Sequence, residues 1–229
     1  LSTNQLLRSC KRATSPDAGT AANLPRSPRL QVRQASTRFQ TLSASGISLR
    51  SLRTQGKKWS TSVAASGVKK LVLLNAHGGQ VSVMDIVARD LRARLGMLVY
   101  SVSWFNLPLR DAQGSDVNAL FSAEEHRFGV HAGDTETAMM LALRPDAVRM
   151  DQAQNFRSTA QDRAERFEIL GNGKSAKLAW QMQDYNAMGA AGNAAAANVE
   201  KGQAMLAAAG QSLAQLFMEI DQLPPDVLK

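Results

Sequence analysis

The chain has 229 residues, a formal charge of +8, three histidines and a single cysteine, Cys10. That length suits one sizeable domain with an appendage, and one cysteine excludes an intramolecular disulfide and points to a reducing, cytoplasmic setting. No run approaches the roughly 18 apolar residues of a membrane span, so no membrane partner is expected. The positive charge would ordinarily suggest nucleic acid, but it is confined to one end. Residues 1–60 carry eight Arg and three Lys against Asp17 alone, whereas residues 61–229 hold 16 basic and 18 acidic residues. The charge therefore makes a poor case for a nucleic-acid partner.

Residues 1–60 contain 16 Ser and Thr, with Phe39 and Trp59 as the large aromatics and no sustained period. Such a composition buries too little to offset chain entropy and reads as a basic, disordered segment. Its Arg- and Ser-rich, acid-poor character also fits an organelle transit peptide. A nucleic-acid arm would interleave stacking aromatics, which are nearly absent. From residue 61 the pattern becomes that of a folded domain, expected over 61–222 with 223–229 as a tail. Thr61 to Gly67 reads as a helix end closed by glycine. Lys69 to Asn75 is a strand whose apolar run Leu71–Leu74 suits burial on both faces of a parallel sheet. Met84, Val87, Ala88, Leu91 and Leu95 recur at helical spacing up to Gly96. Met97 to Val102 is a second strand, and strand–helix–strand at this spacing is a βαβ unit with parallel strands.

Trp104 to Val130 lacks a clear period and reads as a long loop or lid. A helix begins at Gly133 or Asp134, where Asp134 and Glu136 suit its positive end, and stops before Pro145. Ala147 to Met150 reads as a short strand, and Gly171-Asn172-Gly173 as a turn in a polar stretch, 151–195, where Trp180 stands alone. Val199 to Ile220 is the last helix, with Leu206, Leu213, Leu216, Phe217 and Ile220 on one side; Pro224-Pro225 ends anything beyond. The fold class is α/β.

Two stretches carry chemistry. In Asn75-Ala76-His77-Gly78-Gly79 a histidine follows a buried strand, outside the carboxyl end where open α/β sheets hold ligands. Glycines 78 and 79 allow a sharp turn and leave space beside the imidazole. In Gly129 to Thr137, His131 sits just before a helix and Glu136 in its first turns. Imidazole and carboxylate suit zinc, manganese or iron, which would make a bound water nucleophilic. Each residue also has a plainer reading: His77 as a hydrogen-bonded loop residue, and Glu136 as a complement to the helix dipole. His126, within Glu124-Glu125-His126-Arg127, reads as part of a solvated charge cluster, and Asp85 as the polar face of its helix. There is no nucleophile elbow and no phosphate-cradling glycine loop, which argues against serine hydrolases and P-loop enzymes.

These stretches resemble a known family. Leu71–Gln80 is similar to the N-G-H-G-G-N segment of the creatininase (creatinine amidohydrolase) family. His131-Ala-Gly-Asp-Thr-Glu136-Thr-Ala is similar to its H-A-G-x-x-E-T-S segment, and Asp184–Gly202 to its late region ending in E-K-G. Order and spacing agree from Ser62 to Ile220. The resemblance implies a three-layer α/β/α fold with a mostly parallel sheet. It also implies one or two divalent metal ions, zinc or alternatively manganese or iron, and hydrolysis of a cyclic amide or other non-peptide C–N bond in a small-molecule substrate. A homo-oligomer, often a hexamer, is a further implication. By position His77 and Glu136 would be metal ligands and His131 the acid/base, while Asn75, Gly78 and Gly79 would shape the substrate pocket.

The front of the chain departs from that pattern. The family's first strand ends in E-x-H-G-x-H-L-P and is followed by an aspartate, together about half of its metal ligands. Residues 1–60 hold no histidine, no glutamate and only Asp17, so those roles have no counterpart there. Gly46-Ile-Ser-Leu49 is similar to the family's G-T-I-x-L turn. The switch of composition near Ser60 fits a frame-shifted translation in place of the family's front part. Two functional expectations follow: a metal-dependent amidohydrolase, or a non-catalytic remnant of the same fold.

Overall fold

The computed structural model describes residues 63–224 and 227; the expectations for residues 1–60 and for the tail past residue 224 lie outside the described residues. The chain divides into two compact units, Leu1–Leu107 with Gln215–Lys229, and Pro108–Ala214.

In the first unit a helical turn ends at Ala65 and is closed by Gly67, whose φ of +82° suits glycine and whose N–H reaches the Ala64 carbonyl at 3.0 Å. Strand β1 (Lys70–Asn75), helix α1 (Val81–Leu95) and strand β2 (Leu98–Ser103) follow in order. The strands pair in parallel, in register from Lys70 with Leu98 to Asn75 with Ser103. This is the βαβ unit expected from the two apolar runs and the helical period between them. Helix α1 turns Met84, Ala88 and Leu91 onto Leu71, Leu73 and Met97, which form the unit's core together with Val63. Burying each of the large side chains is worth about 1.5–3 kcal/mol. Gly96, at φ +63°, caps the helix with an N–H bond to the Arg92 carbonyl. Asp85 lies on the exposed face and pairs with Arg89 at 3.1 Å, as its position in the period implies.

The second unit holds most of the helices. The stretch expected to be a loop or lid is instead built of short turns, Trp104–Asn106 (in the first unit) and Val117–Leu120, followed by helix α2 (Ala123–Phe128). Six residues are too few for a hydrophobic period to register. Helix α3 (Asp134–Leu143) begins and ends where its acids and Pro145 place it. The short strand expected over Ala147–Met150 is absent. Pro145–Ala147 and Met150–Gln152 form tight 3-10 turns, because Pro145 opens the first with its φ already set. Strand β3 (Asn155–Phe156), helix α4 (Thr159–Arg166), helix α5 (Met182–Tyr185) and strand β4 (Gly192–Asn193) follow, β3 and β4 pairing antiparallel.

Helix α6 (Val199–Gln222) closes the chain. Its buried side chains are Met205, Ala208 and Ile220, while Leu206, Leu213, Leu216 and Phe217 are half-buried. Within the first unit the Lys70 ammonium donates to the Ile220 and Asp221 carbonyls at 2.9 and 2.7 Å, satisfying the last turn of that helix. With its parallel strand pair and flanking helices the fold is α/β.

Candidate functional site

The His77 turn begins where β1 ends. Asn75 is 1 % exposed, and its side chain bonds to its own turn and to the neighbouring strand. Its amide donates to Ser103 Oγ at 3.1 Å, and its Oδ1 accepts from the His77 N–H at 3.1 Å and from Gln80 Nε2 at 3.0 Å. Asn75 thus ties the end of β1 to the end of β2 and fixes the backbone that presents His77. The imidazole is exposed. Gly78–Gln80 form a 3-10 turn, and a Cβ on Gly79 would stand 2.9 Å from the imidazole Cε1, whereas one on Gly78 would meet nothing within 4 Å. Space beside the ring is therefore the property of Gly79.

The second unit brings His131 and Glu136 together. His131 Nδ1 lies 3.8 Å from Glu136 Oε1, with the two side chains 41 % and 52 % exposed. The other carboxylate oxygen accepts the Ala132 N–H at 2.9 Å. This short circuit closes because Ala132 adopts φ +51°, a left-handed conformation that bends the chain back toward α3 at a cost for any residue but glycine. On its other side the His131 ring meets Trp180 edge-on, centroids 6.3 Å apart, and Trp180 packs on Tyr185 at 4.9 Å. Trp180, isolated in the sequence, is thus part of an aromatic wall beside His131. His126 is held apart from this pair: its Nε2–H donates to the Asn118 carbonyl at 2.8 Å and its ring packs on Phe121.

Asp134 and Lys201, read in the sequence as a helix-start acid and as part of the late E-K-G stretch, form an ion pair. Asp134, 3 % exposed, opens α3 and receives the Lys201 ammonium on Oδ2 at 2.6 Å. Its Oδ1 has no hydrogen-bond partner among the described residues. Lys201 also donates to the Ala196 carbonyl at 3.0 Å and lies over the Phe121 ring. The next residue, Gly202, packs so closely on α3 that a Cβ there would fall on the Ala138 carbonyl oxygen. The Glu200-Lys201-Gly202 stretch thus locks the start of α6 onto the helix that carries Glu136. The available signal was a lysine and a glycine together at the start of an amphipathic helix, where neither serves the helix itself. Glu125 is the surprise: it is 8 % exposed, so the expected solvated charge cluster holds only for its neighbours.

A catalytic zinc takes three protein ligands and an open position. His131 and Glu136 belong to the second unit and His77 to the first. Among the described residues no three of His, Cys, Asp and Glu form a group that could hold a metal ion. The described donors do not make up a complete metal centre.

The fold has solved counterparts. A Bacteroides fragilis protein assigned as a creatinine amidohydrolase is 24 % identical, over 80 % of this chain and 65 % of its own, at a TM-score of 0.61. Creatininase structures are matched as well. The manganese form is 23 % identical over 78 % of this chain and 67 % of its own, with a TM-score of 0.52. The zinc–zinc form is 23 % identical over 74 % and 63 %, with a TM-score of 0.52. A variant complexed with creatine is 24 % identical over 74 % and 64 %, with a TM-score of 0.51. The chain spans less than two thirds of the length of the Bacteroides protein. At this identity the likeness establishes the fold of the creatinine amidohydrolases. No curated protein sequence matches the chain. The family model for creatininase (creatinine amidohydrolase) matches residues 37–217, and the chain belongs to the creatininase family.

Proposed function

We propose that the chain is an amidohydrolase of the creatininase type, cleaving a cyclic amide or another non-peptide C–N bond, with His131 as its acid/base. The observation that carries this reading is the His131–Glu136 pair at the start of α3, within the stretch matched to the family. With Nδ1 turned to the Glu136 carboxylate, the ring is oriented so that His131 can take a proton from an attacking water. The ring can then pass that proton to a leaving nitrogen. Glu136 is itself held by the Ala132 N–H, so the pair is oriented before substrate arrives. A small polar amide suits a histidine that is 41 % exposed beside Trp180. Creatinine is the first candidate, since a family relative is solved with creatine.

Relatives exist in zinc–zinc and manganese forms, and by family position His77 and Glu136 would hold such an ion, with Asn75, Gly78 and Gly79 shaping the pocket. Among the described residues these two donors are one short of a catalytic zinc site, and the proton transfer above is not routed through a metal. That shortfall favours a second reading, a non-catalytic member of the family. Creatinine and formamide turnover, assayed with added zinc or manganese and alongside elemental analysis of the purified protein, separates the two. The amidohydrolase reading expects turnover that falls by about 10²–10⁴-fold in His131→Gln. No turnover, with no metal retained, establishes the non-catalytic reading. We assign the chain to the cytoplasm on its single cysteine and to a homo-oligomer on family grounds, which light scattering on the eluted protein would measure.

A further inference from the structure

Helix α3 starts on a glycine, Gly133, which offers no side chain to cap it. The first N–H groups of a helix need acceptors, and here one comes from elsewhere. Glu125 of α2 reaches across so that its Oε1 accepts the Thr135 N–H at 3.2 Å while its Oε2 accepts the Asn193 N–H at 3.0 Å. One carboxylate therefore binds the beginning of α3 with one oxygen and strand β4 with the other.

Three glycines make room for it. A Cβ on Gly129 would come 2.8 Å from the carboxylate and one on Gly192 2.6 Å from Oε2, while one on Gly133 would fall on Oε1. Gly192 is also at φ +129°, where any other residue is strained. The loop between Gly129 and Gly133 is the one that carries His131. It is stitched to the segment before β4 by two further bonds, Val130 N–H to the Ala191 carbonyl at 2.8 Å and Ala191 N–H to the His131 carbonyl at 2.9 Å. The near side of the His131 loop is thus held by the segment before β4, and the helix start beyond it by Glu125, which also holds β4. A negative charge at a helix N-terminus is favoured by the helix dipole, and a carboxylate offers two acceptors where an amide offers one.

We propose that Glu125 is the positioning residue of the His131–Glu136 pair, the buried carboxylate around which the histidine loop and the start of α3 are folded. The proposal rests on the reading of His131 and Glu136 as the working pair, but its test does not require turnover. In the full chain, Glu125→Gln removes one of the two acceptors and sets an amide N–H against a backbone N–H. Amide hydrogen exchange at Thr135 and Asn193 should accelerate about 10-fold for each bond weakened. The His131 imidazole resonance, assigned by its loss in His131→Asn, should move, and the His77 resonance should stay in place.

If Glu125→Gln does not fold, Glu125→Asp keeps the charge but draws both oxygens back by one methylene, and the same exchange and resonance changes should follow at Thr135, Asn193 and His131. Unchanged exchange at both amides and an unmoved His131 resonance, in whichever variant folds, overturn the proposal. Absent hydrolysis in the wild-type chain would overturn the amidohydrolase reading and leave this result standing. Where the chain does turn over, a positioning role lowers kcat per folded molecule with KM little changed.

Discussion

His77 follows a strand and His131 precedes a helix, and the two turns are anchored by different kinds of bond. At His77 the anchor is one neutral side chain, Asn75, whose partners are its own turn and the end of the neighbouring strand. At His131 the anchors are buried carboxylates whose partners lie far along the chain: Asp134 meets Lys201, 67 residues on, and Glu125 meets the Asn193 N–H, 68 residues on. The first turn can form as soon as its βαβ unit forms. The second exists only once α2, α3, β4 and the start of α6 have assembled. Local neutral bonds make a turn tolerant of change elsewhere, whereas buried charge makes it dependent on every partner.

The largest effect should come from breaking the charged side of that contrast. Lys201→Ala leaves Asp134 buried without a counter-charge and should cost about 3–5 kcal/mol in urea unfolding. Replacing both members with apolar residues, Lys201→Met with Asp134→Leu, should restore much of it, since the cost arises from the unpaired charge rather than from a large net worth of the pair. A loss below 1 kcal/mol in Lys201→Ala would mean that α3 is held by packing alone, and the Gly202 contact with Ala138 would carry the weight.

The neutral side should give a smaller and more local change. Asn75→Ala removes the acceptor of the His77 N–H and the donor to Ser103 in a side chain that is 1 % exposed. It should cost about 1–3 kcal/mol. Amide exchange should quicken at His77 while the Ala132 N–H, held by Glu136, keeps its rate. Equal acceleration at both amides would erase the distinction between a locally and a remotely anchored turn.

This contrast also explains which parts could be read from the sequence. β1, α1 and β2 announce themselves because a single run or period of apolar residues decides each, and Gly96 closes α1 at the position the period demands. Helix α3 is legible from Asp134 at one end and Pro145 at the other. Glu125 is not, because in the sequence it has the same charged neighbours as exposed Glu124 and Arg127. Its burial is set by Gly133 and Gly192, which no local period connects to it. His131 and Glu136 stood out by type and spacing, and the structure adds the Ala132 bond between them. Trp180 could not be placed, since its partners His131 and Tyr185 meet it only through the folding of an aperiodic stretch.

The smallest effect concerns Ala132. At φ +51° an alanine carries a left-handed penalty of about 1–2 kcal/mol, which Ala132→Gly would remove. Glycine in turn gives the unfolded chain more freedom, worth about 0.4–1 kcal/mol in the opposite direction. The balance is a gain of about 0–1.6 kcal/mol, so the melting temperature should stay put or rise by a few degrees. The N–H that binds Glu136 is retained, yet the loop loses the stiffness that holds it there. If the His131–Glu136 pair works because it is oriented in advance, Ala132→Gly should lower kcat in a chain that turns over without lowering stability. A fall in stability instead would show that Ala132 makes packing contacts that outweigh its strained backbone. The bend would then be a consequence of the assembled unit rather than a device for joining the two side chains.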